Sequence, residues 1–153
     1  MTTDADQRSG EGHMFTKIIV PIDLEDCERI DDVLRVTAQI AEANNAEVHL
    51  LSIIDAAPAV VAQQLPQGYE RMAAKTVEQD LANLIDRMDV TAGRVTTAIR
   101  FGGVYQEILA HAKKTGADLI VIGSHKPNVA DYLLGSNASR VVRHAECSVF
   151  VVR

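Results

Sequence analysis

Residues 118–153 read DLIVIGSHKPNVADYLLGSNASRVVRHAECSVFVVR. An apolar run from Leu119 to Gly123 opens the stretch and a second, Val149 to Val152, closes it; between them Ala138, Val141, Val142 and Ala145 recur at helical spacing. The pattern is strand, loop, helix, strand. A helix between two strands of one sheet returns the chain to its starting edge, so the strands run parallel. Neither run alternates with polar residues, which is how strands covered on both faces read.

Three more such runs lie upstream: KIIVPID at 17–23, EVHLLSIID at 47–55 and RVTTAIRF at 94–101. Only the third alternates, with Val95, Thr97, Ile99 and Phe101 on one side. Helical periods separate them. Ile30, Val33, Leu34, Thr37 and Ala41 share one face, Met72, Val77, Leu81, Leu84, Ile85 and Met88 a second, and Ile108, Leu109 and Ala112 a third. Five strands alternating with four helices predict a doubly wound α/β fold: a five-stranded parallel sheet with helices on both faces and right-handed crossovers. The expected strand order is 3-2-1-4-5. It reverses its winding between the first and fourth strands, where open sheets of this class bind ligands.

The 153 residues suit one domain, expected over 14–153 after a disordered tail at 1–13 that lacks periodicity. Cys27 and Cys147 match no metal spacing, and buried unpaired thiols in a reducing cytoplasm are expected. A formal net charge of −6 without a Lys/Arg cluster argues against a nucleic-acid partner. No apolar run approaches the roughly 20 residues of a spanning helix, which argues against membrane insertion.

The loops after the first and fourth strands should form the two walls of the crevice. Gly135, Ser136 and Asn137 directly precede the fourth helix. The unpaired N–H groups of a helix start favour a phosphate, and glycine lets it approach; Ser136 and Asn137 either donate to its oxygens or simply cap the helix. Gly123 ends the fourth strand, and Ser124 and His125 then face the mouth, His125 either touching a phosphate or lying in solvent. On the other wall Asp23 stands where the first strand gives out. A carboxylate repels phosphate and accepts hydrogen bonds from an amine, so a base beside Asp23 and phosphates at Gly135 is one reading. A turn or N-cap residue for the first helix is the other. The acidic, glycine-free DLEDCER excludes a flavodoxin-like phosphate loop, the third-strand end RFGG excludes a receiver domain, and neither G-x-x-x-x-G-K-[ST] nor G-x-G-x-x-G occurs.

KIIVPID, DLIVIGSH and LLGSNASRVVRHAECSVFVVR together resemble the universal stress protein family, from about Phe15 to Arg153. The chain is most similar to the small single-domain bacterial branch. The resemblance implies a Rossmann-like, adenine nucleotide alpha hydrolase-like fold holding ATP or AMP, with or without Mg. It implies a nucleotide-responsive stress or regulatory role. Asp23 would meet the adenine, with Pro21 and Ile22 beside it and Ile53 packing near the base. Ile122 and Gly123 would lie by the ribose and phosphates, and Gly135, Ser136 and Asn137 at the triphosphate. Val149 to Val152 form an edge strand too apolar to remain uncovered. The resemblance makes it the seam of a homodimer, with a tetramer as a further option and an unidentified regulatory protein as partner.

The family's ATP signature, G-x2-G-x9-G-[ST], is altered here. Lys126 takes the place of the middle glycine, and the gap to Gly135 is one residue shorter. Lys126 either neutralises phosphate charge, with Pro127 stiffening the loop, or the loss of close backbone approach abolishes binding. Two alternatives therefore stand: an interaction module of the same fold that holds no nucleotide, and a slow ATP hydrolase with Ser124, His125 and Ser136 as candidates. No acid/base pair or metal cluster emerges from the residues, so an enzyme is not expected. Residues 57–68, APAVVAQQLPQG, read as a long loop that covers the ligand, widens the assembly or only connects its neighbours.

Overall fold

A computed structural model describes residues 12–91, 94–124 and 134–153. The elements run β1 (Lys17–Pro21), α1 (Cys27–Asn44), β2 (Glu47–Ile54), α2 (Ala59–Ala62), α3 (Tyr69–Asp86), β3 (Val95–Phe101), α4 (Val104–Thr115), β4 (Leu119–Gly123), α5 (Ser136–His144) and β5 (Ser148–Val152). They build one parallel sheet in the expected order β3-β2-β1-β4-β5. Lys17 pairs with Glu47 and Pro21 with Leu51 on one side of β1, while Ile18 pairs with Leu119 on the other. The winding therefore reverses between β1 and β4.

Side chains of a strand point alternately to its two faces, and here both faces are covered. Ile18, Val20, Val48, Leu50, Leu119 and Val121 meet Val33, Leu34, Leu81 and Leu84 of α1 and α3. Ile19, Leu51, Ile120 and Ile122 meet Ile108, Ala112, Ala138 and Val141 of α4 and α5. Ile18, Ile19 and Val20 are wholly buried, each contributing about 1.5–3 kcal/mol of transfer free energy. That two-sided burial is why the strands carry consecutive aliphatic residues. α4 ends on Gly116 at φ 68°, a left-handed turn that glycine adopts without strain. No helix among the described residues is long and apolar enough to cross a membrane.

Several expectations need correction. β1 stops at Pro21, two residues before Asp23, although the Ile22 N–H still reaches the Leu51 carbonyl at 2.8 Å. The segment at 57–68 contains a single helical turn, α2, so it is not wholly loop. Met72 is 73% exposed; the buried positions of α3 are Leu81 and Leu84, with Val77 packed against the core before them. On β3, Val95 and Ile99 pack inward as the alternation predicts. Thr97 and Phe101 on the same side are exposed, since β3 is an edge that α3 covers only in part. Of the expected tail, residues 1–11 lie outside the described residues, as does the segment 125–133 between β4 and α5.

Candidate functional site

A cleft of about 700 Å³ opens above the carboxyl ends of β1 and β4. Its volume falls within the roughly 300–1,000 Å³ of small-molecule sites. The floor is aliphatic: Ile22, Ile53 and Ile122 from the strand ends, with Val104 and Ile108 of α4. Of the expected set, Pro21, Asp23, Gly123, Gly135, Ser136 and Asn137 also line it. The topology thus brings together residues separated by more than a hundred positions in sequence.

Asp23 is exposed at the first wall. Its Oδ1 accepts the Glu25 N–H at 3.0 Å and its carbonyl accepts the Asp26 N–H at 3.1 Å. It is therefore a turn residue, as one reading held, and Asp26 rather than Asp23 is the N-cap of α1. Holding the turn occupies one carboxylate oxygen. The other accepts no hydrogen bond from the described residues, so both readings of Asp23 are compatible in one geometry.

The opposite wall is the start of α5. Its N-cap is Gly135, and no side chain caps it among the described residues. The first helical bond runs from the Ser139 N–H to the Gly135 carbonyl at 2.9 Å. Ser136 and Asn137 occupy the first turn and do not cap it. A helix start of this kind presents N–H groups and the positive end of the macrodipole, which suits an anion. No acidic side chain stands in that first turn to oppose one.

Gly123 has a packing reason as well. A Cβ there would come within 3.2 Å of Val33 Cγ2, so glycine lets the end of β4 close against α1. Ser124, expected at the mouth, is 8% exposed. Its N–H donates to the Val152 carbonyl at 2.8 Å, which carries the ladder with β5 one residue further and draws Ser124 into the fold. His125 and Lys126 lie outside the described residues, and with them the altered part of the glycine signature.

One charged group was not anticipated. Arg29, on the first turn of α1, lines the cleft, and its Nη1 donates to the Ser124 carbonyl and, at 3.2 Å, to Ser124 Oγ. The sequence signal was its position four residues before Val33, a member of the buried face, which sets it at the margin of that face. Asp55 and Ser52, at the end of β2, also line the cleft.

A profile of the universal stress protein family matches residues 14–153. Universal stress protein G of Shigella flexneri is 32% identical over 143 residues, covering 92% of this chain and 100% of the relative. Among solved structures, the universal stress protein UspA from Lactobacillus plantarum superposes with a TM-score of 0.65 at 28% identity, covering 90% of this chain and 97% of that one. The universal stress protein from Archaeoglobus fulgidus in complex with dAMP superposes with a TM-score of 0.65 at 18% identity, covering 90% and 98%. Sheet order, cleft and similarity along nearly the whole chain converge: this chain belongs to the universal stress protein family.

Proposed function

We propose that the chain is a regulatory protein that binds ATP or AMP, with or without Mg, in the cleft between β1 and β4. The observation that carries this reading is the unequal polarity of the two walls. A carboxylate with an oxygen to spare stands at the end of β1, and an uncapped helix start stands across from it. The first suits the exocyclic amine of adenine and the second suits phosphate, with the aliphatic floor at Ile22, Ile53 and Ile122 beneath the base and ribose. The dAMP complex of the Archaeoglobus fulgidus relative supports an adenine nucleotide as the occupant.

Titration calorimetry with adenosine, AMP and ATP tests the reading, alongside mass spectrometry of small molecules released when the purified protein is denatured. Asp23→Ala should weaken every adenine ligand by about 1–3 kcal/mol, the range for a hydrogen bond to a charged group. Unchanged affinities would remove Asp23 from the site. The rival reading, an interaction module without nucleotide, draws on Lys126 in place of the middle glycine. Absence of binding by all three ligands would establish it.

We further propose that the functional unit is a homodimer paired through β5. Among the described residues β5 is bonded to β4 on one side only, and Phe150 at its centre is 46% exposed. An apolar edge of this kind recruits another strand, and pairing about a two-fold axis would cover it. Light scattering should give twice the chain mass, and Phe150→Lys should halve it. An unaltered mass in that variant would move the interface elsewhere.

A further inference from the structure

Arg29 follows β1 in sequence, yet its guanidinium ends at β4. It is half-buried, lines the cleft, and is the only cationic side chain among the described residues that do so; Asp23, Glu25, Asp26 and Asp55 line it with the opposite charge. Its Nη1 engages the carbonyl and hydroxyl of Ser124, both neutral acceptors. A guanidinium bonds a phosphate more strongly than a neutral oxygen, because the bond is charge-assisted and two N–H groups can act in parallel. The start of α5 supplies about half an elementary charge, while four carboxylates line the same cleft. A full cation strengthens the pull on phosphate, and among the described residues lining the cleft Arg29 is the one that carries it.

We infer that Arg29 is the residue through which the cleft discriminates phosphorylated adenine ligands from adenosine, exchanging Ser124 for phosphate oxygens when such a ligand enters. The inference rests on the nucleotide reading of the cleft and goes beyond it, because it adds a side chain of α1 to the helix start of the β4–α5 wall as a source of the phosphate preference.

The test is calorimetry of adenosine, AMP and ATP against the wild-type chain, Arg29→Gln and Arg29→Lys, with thermal melts confirming that each variant is folded. Arg29→Gln should lose about 10- to 150-fold in affinity for AMP and ATP, the equivalent of one hydrogen bond between charged groups, and keep its affinity for adenosine within about twofold. Arg29→Lys, which keeps the charge without the planar fork, should fall between the two. Equal losses for adenosine and ATP would make Arg29 a brace for Ser124 and overturn the inference. So would unchanged affinities in a variant whose parent binds all three. Should the parent bind none of them, the nucleotide reading itself fails and takes the inference with it. If Arg29→Gln does not fold, Arg29→Lys decides: a loss that grows from adenosine to ATP supports the inference, and a uniform loss overturns it.

Discussion

The two ends of the sheet use their polar groups differently. At the amino end, the Asp118 carboxylate accepts hydrogen bonds from the Thr16 N–H at 2.8 Å, the Thr16 hydroxyl at 2.7 Å and the Lys17 N–H at 3.0 Å, clasping the start of β1 to the start of β4. Glu42 does similar work nearby. It accepts the Thr91 N–H at 2.9 Å and pairs with Arg94, tying both to the end of α1 just ahead of β3. At the carboxyl end, Asp23 gives one oxygen to its own turn, and α5 starts with no side chain across its first amides among the described residues. One end is closed upon itself, while the other leaves acceptor and donors facing a cleft. Charged groups engaged by backbone serve stability, and those left facing space are available to a ligand.

Exchanging the two aspartates in experiment would break this comparison most sharply. Asp118→Ala should lower stability by about 1–3 kcal/mol, seen as an earlier denaturant midpoint, while leaving nucleotide affinity in the surviving folded protein unchanged. Asp23→Ala should weaken nucleotide binding and cost less stability than Asp118→Ala, since it breaks one exposed turn bond where Asp118 makes several. Equal effects of both variants on both measurements would mean that the division between the ends does not hold.

The clasp should also show itself in the response of stability to acid. Burial pushes the Asp118 carboxyl up, but the hydrogen bonds from Thr16 and Lys17 outweigh it and hold it below its ordinary value. A carboxyl depressed in the folded state adds stability that is complete above about pH 4 and is lost as pH falls through the folded value. Asp118→Asn should therefore flatten the stability profile below about pH 4. A profile as steep as that of the parent would assign the acid response to other carboxylates.

A smaller effect is expected at Gly123. Alanine there places a methyl 3.2 Å from Val33 Cγ2, and crowding of this degree costs on the order of 1 kcal/mol. Val33→Ala in the same chain should recover part of the loss. If the double variant is no more stable than the sum of the two single ones, the glycine is not there for packing.

The gentlest contrast concerns histidine. His49 and His111 lie with ring centres 6.0 Å apart, and both nitrogens of His111 are buried without a hydrogen-bond partner among the described residues. Burial pushes the pKa of both down, aided for His49 by the Lys17 charge and for His111 by His49, Arg100 and Lys114. Both are thus pushed toward the neutral form in the fold, and the unfolded chain takes up their protons first, below about pH 6.5. Stability should be intact above that point and decline as pH falls toward the folded values. His111→Leu should make the decline shallower between pH 7 and pH 5, and an unaltered slope would clear His111 of the effect.

How much of this could be read from the chain alone differs between the sheet and its rim. The strands and their order were legible, because two-sided burial demands runs such as Ile18–Ile19–Val20 and Leu119–Ile120–Val121–Ile122, and strict alternation with helices restricts the topology. The places of Asp23 and Gly135 followed from that order. Arg29 did not, because a position on the first turn of a helix says nothing of a lean toward a strand a hundred residues away. Met72 misled for a related reason: helical period runs unchanged from the exposed first turn of α3 to the buried Leu81 and Leu84, so the pattern does not mark where burial begins. The single turn of α2 has too few residues for any period to declare itself.

The bond from the Ser124 amide to the Val152 carbonyl links the rim of the cleft to the outermost strand. The carbonyl of Ser124 also accepts from Arg29, so a single residue touches both the charged group facing the cleft and the margin of the sheet. Its amide proton can exchange with solvent only when that junction opens. The exchange rate of this one site is therefore a common gauge, slowed by whatever steadies either side and hastened by whatever loosens one.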